Sequence, residues 1–396
     1  MKTLVVFGNA PVLVDIARSL GFSLVQFVAP SEASDFRYRD AHLVSITDYV
    51  HNLEFIDILR TVAANNRISG VVSFSEYGLV PAALAAKEFG LRYAPVAAVE
   101  ISRNKAAMRK LLKAKLGHDI RFLEVTSREE AKAFLVELGG EAIAKPTGGV
   151  ASEGVRAIRS PSDLDAIADA SFPMLMEEIV EGIELSLDFL GTGDELISLG
   201  VNEEVNGGAG CLNPYVELQH VYPARISPHQ RDTAIAFVRK TLQAIGLDYG
   251  PSHTEVLLTK QGPVLIETHS RFGGDYLTEL FERSTGCSLL EKYVRWAAGE
   301  AVQIETEPKR AASIKYFAAS PGIVKDIQGT LRFRSHANVV RIELPLEKGS
   351  TVKPVRSSFD RQGYVLVCAP SNVEAAEIAT RIAETISIET TPSQPD

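Results

Sequence analysis

The first hundred residues alternate short apolar runs with helical patterns, and that rhythm limits the fold more than any other feature of the chain. "LVVFG", "SLVQFVA", "HLVSI" and "GVVSFS" read as short strands bounded by Gly, Pro or Ser, with "FIDILRTVAANN" and "LVPAALAAKEFG" as helical patterns between them. Strands that alternate with helices in this way predict a parallel sheet covered by helices. Ligands of such sheets bind beyond the carboxyl ends of the strands. "FGNAP" after the first strand and "SFSEYG" after the fourth stand at such ends.

The opening stretch, "MKTLVVFGNAPVLVDIARSLGF", has the lysine and apolar run of a signal peptide, but Asp15 and Arg18 interrupt it and no small-residue cleavage pattern follows. It reads as strand (Thr3–Phe7), turn (Gly8–Pro11) and helix (Val12–Leu20). No apolar run approaches the roughly 18 residues that span a membrane. The net charge of −9 argues against a strongly basic nucleic-acid face. Cys211, Cys287 and Cys368 are few, odd in number and far apart, which argues against a disulfide framework or thiolate zinc site and fits a reducing cytoplasm.

From about residue 98 the rhythm changes. "SRNKAAMRKLLKAKLG" predicts a basic amphipathic helix with Ser102 as its N-cap. "EAIAKPTGGVASEGVRAI" reads as strand, glycine-rich loop, strand, and "SPHQRDTAIAFVRKTLQAIGL" as a long helix. "PSHTEVLLTKQGPVLIETHSRF" reads as a hairpin with a Gly-Pro corner. The region is α+β with antiparallel sheets. From about residue 308 short strands dominate, closed by the helix "NVEAAEIATRIAETI" and a tail, "TTPSQPD", expected to lack structure.

Several residues are candidates for chemistry. Lys145 ends a strand, where burying an unpaired ammonium is costly, and leads into "PTGGVASEGV". Gly148, Gly149, Ser152 and Gly154 of that loop could bring backbone N–H groups onto phosphate oxygens; the alternative is an ordinary hairpin loop with a snorkelling lysine. Glu177, Glu178, Glu181 and Glu184 cluster in "MEEIVEGIE". They form either a solvated acidic turn or an adenine hinge, with backbone near Glu178 and Val180 on the base edge and Glu184 on the ribose. Glu255 and Glu267 fall on the two strands of the hairpin, where they can sit side by side. Paired carboxylates repel unless a cation or proton lies between them, and hard oxygen ligands suit Mg²⁺; the alternative is two unrelated edge acids.

Lys105, Lys145 with its glycine loop, the "EEIVEGIE" hinge, Glu255 and Glu267 together resemble, in order and spacing, the ATP-grasp superfamily over about residues 1 to 310. "GPSHTEVLLTKQGPVLIETHSRFGGD" and the C-terminal stretches "SPGIVKDIQG" and "VVRIELPLEKGSTVKPVRSSFDRQGYVLVCAPSNVEAA" are similar to its L-amino-acid ligase group, which includes dipeptide ligases and amide-forming enzymes of antibiotic pathways. The resemblance implies an α/β and α+β multi-domain chain: a Rossmann-like parallel-sheet domain (1–97), a two-lobed ATP-grasp (98–176 with the glycine loop, 177–307 with the metal site) and a small β-rich C-terminal domain (308–389), before a disordered tail (390–396).

It also implies a cytoplasmic, ADP-forming ligase that joins a carboxylate to an amine through an acyl phosphate, using ATP and Mg²⁺ (one or two ions, with Mn²⁺ as substitute). Lys105, Lys145, the glycine loop, Glu177, Glu178, Val180 and Glu184 would hold the nucleotide, and Glu255 and Glu267 the metal. Arg271 would clamp the reacting carboxyl. His220 would position the acceptor or stabilise the oxyanion, and Glu76 would bind an α-ammonium. Gly273 and Gly274 would let the backbone pass close to substrate. Many ATP-grasp enzymes carry Asn where this chain has His269, a softer ligand; either His269 contacts substrate or a phosphate instead, or the second metal is held by fewer protein groups, which leaves the metal count open, and His253 is a further neighbour. The partners implied are small-molecule carboxylate and amine substrates, with neither nucleic acid nor membrane, and a homodimer among the assemblies open to the chain. A carrier-protein thiol as acceptor, an ATP-grasp carboxylase and a nucleotide-binding module without catalysis are the alternatives.

Overall fold

The computed structural model describes residues 2–33, 43–118, 120–149, 151–207 and 212–391. Val150 of the glycine loop, residues 208–211 and the tail from 392 lie outside the described residues.

Strands β1 (Lys2–Phe7), β2 (Ser23–Val28), β3 (Leu43–Ile46) and β4 (Arg67–Ser73) form the expected parallel sheet, in the order β3-β2-β1-β4. Helices Pro11–Ser19, Glu54–Ala63 and Leu79–Phe89 alternate with them. Strand β1 is buried from Thr3 to Phe7, as its unbroken apolar run requires.

The small lobe is a separate antiparallel sheet of β5 (Phe122–Val125), β6 (Ala142–Pro146), β7 (Arg156–Ile158) and β8 (Met174–Glu177), ordered β5-β8-β6-β7. Its core, including Val125, Phe134, Leu135, Ile158 and Met176, is distinct from the larger ones. The helix that leads into it, Lys105–Leu116, is capped by Asn104, whose side chain accepts from the Ala107 N–H at 2.9 Å. The expected cap, Ser102, instead ends the preceding helix, Val96–Ser102, and donates to the Val99 carbonyl. The local apolar pattern does not separate the two helices, and Asn104 has the extended backbone that a cap needs.

The large lobe is built on β9 (Ile183–Thr192), β10 (Leu196–Ser198), β11 (Asn202–Asn206), β12 (Glu217–Tyr222), β13 (Tyr249–Thr259) and β14 (Gly262–His269). Its sheet does not stop at the boundary expected near residue 308. Strand β15 (Ala311–Tyr316) pairs with β12, and β19 (Tyr364–Ala369) and β17 (Val339–Glu343) continue the same antiparallel sheet. Strand β16 (Gly322–Gln328) forms a small sheet with β18 (Thr351–Val352) and β20 (Ser387–Thr391). Thr390 and Thr391, expected in a structureless tail, pair with Val324 and Ile323.

The N-terminal sheet and the large lobe share their cores. Val5, Phe7 and Phe55 pack in one cluster with Leu185, Leu187 and Leu242. Leu4, Val6 and Leu13 pack in another with Phe272, Leu277 and Trp296. Cores merged in this way resist relative motion, whereas the small lobe, with its own core, has less apolar surface tying it down.

Candidate active site

The strand ends converge on two adjoining cavities. The first, about 530 Å³, is lined by Lys105, Lys145, Gly148, Gly149, Ser152, Glu177, Glu178, Val180, Glu184, Glu255 and Glu267, among others. The second, about 720 Å³, takes in Glu76, His220, Arg271, Gly273 and Gly274. Both "FGNAP" and "SFSEYG" contribute to it, through Asn9 to Pro11 and Phe74 to Tyr77. Residues chosen from widely separated stretches thus meet in one place.

Glu255 and Glu267 face each other in register across the β13–β14 hairpin, as the alternation along the two strands requires. Their carboxylates have different company. Glu267 lies 2.6 Å from the Lys105 Nζ and 2.8 Å from the His269 Nε2. Burial works to raise its pKa, but these two cations hold it well below the usual carboxylate range. Glu255 faces Glu184 and Glu204, and oxygens of these three acids all lie within 4.8 Å of one another. Burial, with Glu255 and Glu217 nearby, pushes Glu184 up to about 8 and Glu204 well above its usual range. Such a cluster demands a shared proton or a cation.

Lys145 is buried and lies 2.5 Å from the Glu177 Oε2. Arg109, which the sequence reading missed, pairs with the same carboxylate and donates to the Ile266 carbonyl at 3.1 Å. Burial opposes ionisation of Glu177, yet Lys145 and Arg109 bring its pKa down to about 2. Glu177 therefore neutralises Lys145 and is not free to act as a nucleotide ligand in its own right. The Glu178 carboxylate binds the Arg121 side chain and N–H, and its own N–H donates to the Arg121 carbonyl. A base edge would accordingly meet the Glu178 carbonyl and the Val180 backbone. The Glu184 carboxylate accepts from Asn206 at 2.5 Å.

In the glycine loop, Gly149 accepts from Lys105 at 3.3 Å. Ala151 and Ser152 adopt φ values of 60° and 56°, unusual for residues with a Cβ. They are held there from outside the lobe: the Ser358 N–H donates to the Ala151 carbonyl, Asn213 donates to the Ser152 carbonyl, and the Ser152 hydroxyl donates to the Tyr215 carbonyl. Gly154 lines neither cavity; its positive φ of 74° turns the chain against the Pro146 ring.

Two expectations change in the second cavity. Glu76, expected on an ammonium, already faces Arg103 at 3.2 Å, Arg271 at 3.0 Å and His269 at 3.2 Å. A carboxylate enclosed by three basic groups has little attraction left for a fourth cation, and it instead fixes the direction of Arg271. His269, expected on substrate or phosphate, lines neither cavity. It is buried between Glu267 and Glu76, which outweigh burial and raise its pKa.

His220 lines the cavity at 2% exposure, with its Nε2 3.6 Å from Asp275 and its Nδ1 3.8 Å from Glu204. Burial lowers its pKa, which favours a neutral imidazole. Gly273 has a tight reason to be glycine: a Cβ there would lie 2.7 Å from the His253 ring and 2.6 Å from Leu277. Its N–H donates to Asp188, which also holds His253 at 2.7 Å. Gly274 stands in open space.

Asp188, Glu204, Glu217, Asp275 and Arg361 were missed along with Arg109. Asp188 leaves a visible signal, an acid inside the apolar run "LSLDFLG". Arg361 leaves none: it reaches Asp275 at 2.6 Å from 86 residues away, and the Ser358 hydroxyl beside it donates to Glu217 at 3.1 Å.

The ATP-grasp domain family matches residues 104–275, and the L-amino acid ligase C-terminal domain 2 family matches residues 315–391. The chain is 28% identical over 336 residues to the Sinorhizobium fredii protein y4rH, covering 82% of this chain and 69% of that one. It is 24% identical over 245 residues to the alanine–anticapsin ligase of Bacillus subtilis, covering 56% of this chain and 52% of the ligase. The fold superposes on the crystal structure of an L-amino acid ligase from Bacillus licheniformis with a TM-score of 0.82, at 20% identity and 99% coverage of both chains. Residues 104–275 therefore form an ATP-grasp domain. Residues 315–391, which extend the large-lobe sheet, carry the L-amino acid ligase C-terminal domain 2. Among the described residues no helix is long and apolar enough to cross a membrane.

Proposed function

We propose that the chain is an ADP-forming ligase that activates a carboxylate as an acyl phosphate and transfers the acyl group to an amine, with amino acids or amino-acid-like molecules as substrates. One observation carries this reading: the two cavities share Ser152, Glu204, Glu255 and Glu267 as a common wall. A nucleotide in the first would present its terminal phosphate to that wall, and a carboxylate in the second could reach it. Such proximity supplies much of the rate in phosphoryl transfer.

Lys105 and Lys145 would hold phosphate oxygens, and the loop around Gly148 and Gly149 would keep water from the acyl phosphate. Glu255 and Glu267, with Glu184 and Glu204 beside them, offer only carboxylate oxygens, the donors that Mg²⁺ and Mn²⁺ prefer. The buried Glu204 Oε2 has no hydrogen-bond partner among the described residues, as suits a place for an ion. A bound ion would supply neutralisation of the phosphate charge. Arg271, aimed by Glu76, would hold the carboxylate as its oxygen attacks the γ-phosphorus and ADP leaves. The amine must then lose a proton, attack the acyl carbon and expel phosphate; His220, neutral and beside Asp275, is the base at hand.

A phosphate-release assay across pairs of amino acids, with product masses, tests the reading. Condensed product with one ADP per bond is the expected result. ADP release that requires bicarbonate, or a product found only on a carrier protein, would overturn the free-amine assignment.

A further inference from the structure

The second cavity has two chemically different walls. Most of its charged groups, Glu204, Glu217, Glu255, Glu267, Arg271, Asp275 and Arg361, come from the large-lobe strands and the segments that follow them, while Glu76, from the turn after β4, is already enclosed by Arg103, Arg271 and His269. Opposite in chemistry is a surface made by the N-terminal domain and the helices packed on it. Ala10, Leu13 and Leu277 line the cavity as buried members of the second core, with Phe74 and Leu290 packed against that core. Glu32, which follows the neighbouring strand, already accepts from the Ala29 N–H and the Tyr49 hydroxyl.

The apolar surface also continues to the mouth. Val12, Tyr77 and Phe359 line the same cavity and are 57%, 56% and 76% exposed. Single exposed apolar residues are ordinary. These three come from the start of a helix, the turn after β4 and the segment before β19, and all three line this one cavity. Pockets of this size are usually apolar with a few polar groups that set orientation.

Resting on the ligase reading, we propose that this wall receives the bulky apolar side chain of an α-amino acid substrate, of leucine to phenylalanine size, while its charged groups turn toward the opposite wall. A charged side chain would be desolvated here without a partner, and a methyl group would leave most of the wall uncovered.

The test compares leucine, methionine and phenylalanine with alanine, aspartate and lysine, each varied alone at fixed MgATP, reading ADP and product mass. Expected is a kcat/KM for the bulky apolar set about tenfold or more above the others. Phe359→Ser and Leu290→Ala should shrink that advantage while the KM for ATP holds. A highest kcat/KM for alanine, aspartate or lysine overturns the inference and leaves the ligase reading intact; unchanged selectivity in both variants overturns the assignment to this wall. Absence of ADP with every pair overturns the ligase reading instead. Calorimetry with a non-hydrolysable MgATP analogue then decides the pocket: leucine binding more tightly than alanine supports it, and equal or weaker binding overturns it.

Discussion

His269 bridges two carboxylates from different parts of the chain, with its Nε2 2.8 Å from Glu267 and its Nδ1 3.2 Å from Glu76. Through it the metal-ligand candidate on β14 is tied to the residue that aims Arg271. Its raised pKa also favours positive charge beside Glu267.

Replacing that charge should alter the metal count. His269→Asn is expected to raise the number of Mn²⁺ ions bound per protein in the presence of a non-hydrolysable ATP analogue, read by electron paramagnetic resonance. The same stoichiometry in both proteins would show that His269 does not limit metal binding.

Glu177 offers a stability test with a defined sign. Its folded pKa, about 2, lies below the ordinary 4.5, so it contributes stability above pH 4.5 that is lost as the pH falls toward about 2. Glu177→Gln leaves Lys145 and Arg109 buried without their counter-ion and should cost about 3–5 kcal/mol at neutral pH. Urea unfolding from pH 2 to 7 should show the wild type losing this advantage on acidification and the variant changing less.

The glycine loop is tied to the C-terminal module through Asn213, which donates to the Ser152 and Arg356 carbonyls at 3.0 and 2.9 Å. Asn213→Ala removes these two hydrogen bonds and the one its Oδ1 accepts from the Tyr215 N–H at 3.1 Å, roughly 0.5–1.5 kcal/mol each. The KM for ATP should rise about tenfold, and amide exchange near Gly148 should accelerate. Unchanged exchange would mean that other contacts hold the loop.

Glu267→Gln should lower turnover by about 10²–10³-fold, the usual cost of one preorganised electrostatic group. Circular dichroism should show the fold retained, and Mn²⁺ titration should show weaker binding. Wild-type turnover in the variant would remove Glu267 from the metal assignment.

Much of this site was legible because its signals are local. The alternation along β13 and β14 aligned Glu255 with Glu267, the glycine run marked the loop after Lys145, and the strand ends "FGNAP" and "SFSEYG" pointed to the cavity. The cap of helix Lys105–Leu116 was misread by two residues, since Ser102 and Asn104 are both sound caps and only the break between two helices chooses between them.

By itself the sequence determined which elements form, their order, and the residues that end each strand, since periodicity and turn chemistry act over a few neighbours. Tertiary structure alone decided which charge answers which. Arg109 meets Glu177 across 68 residues, His253 meets Asp188 across 65, and Arg271 meets Glu76 across 195. Those pairings turned Glu76 from a candidate ammonium site into the support of an arginine, and His269 from a substrate contact into a buried bridge. A charged residue reads the same in sequence whether it faces solvent, a ligand or a counter-ion. Only the packed fold sets the distance and the dielectric that separate these cases.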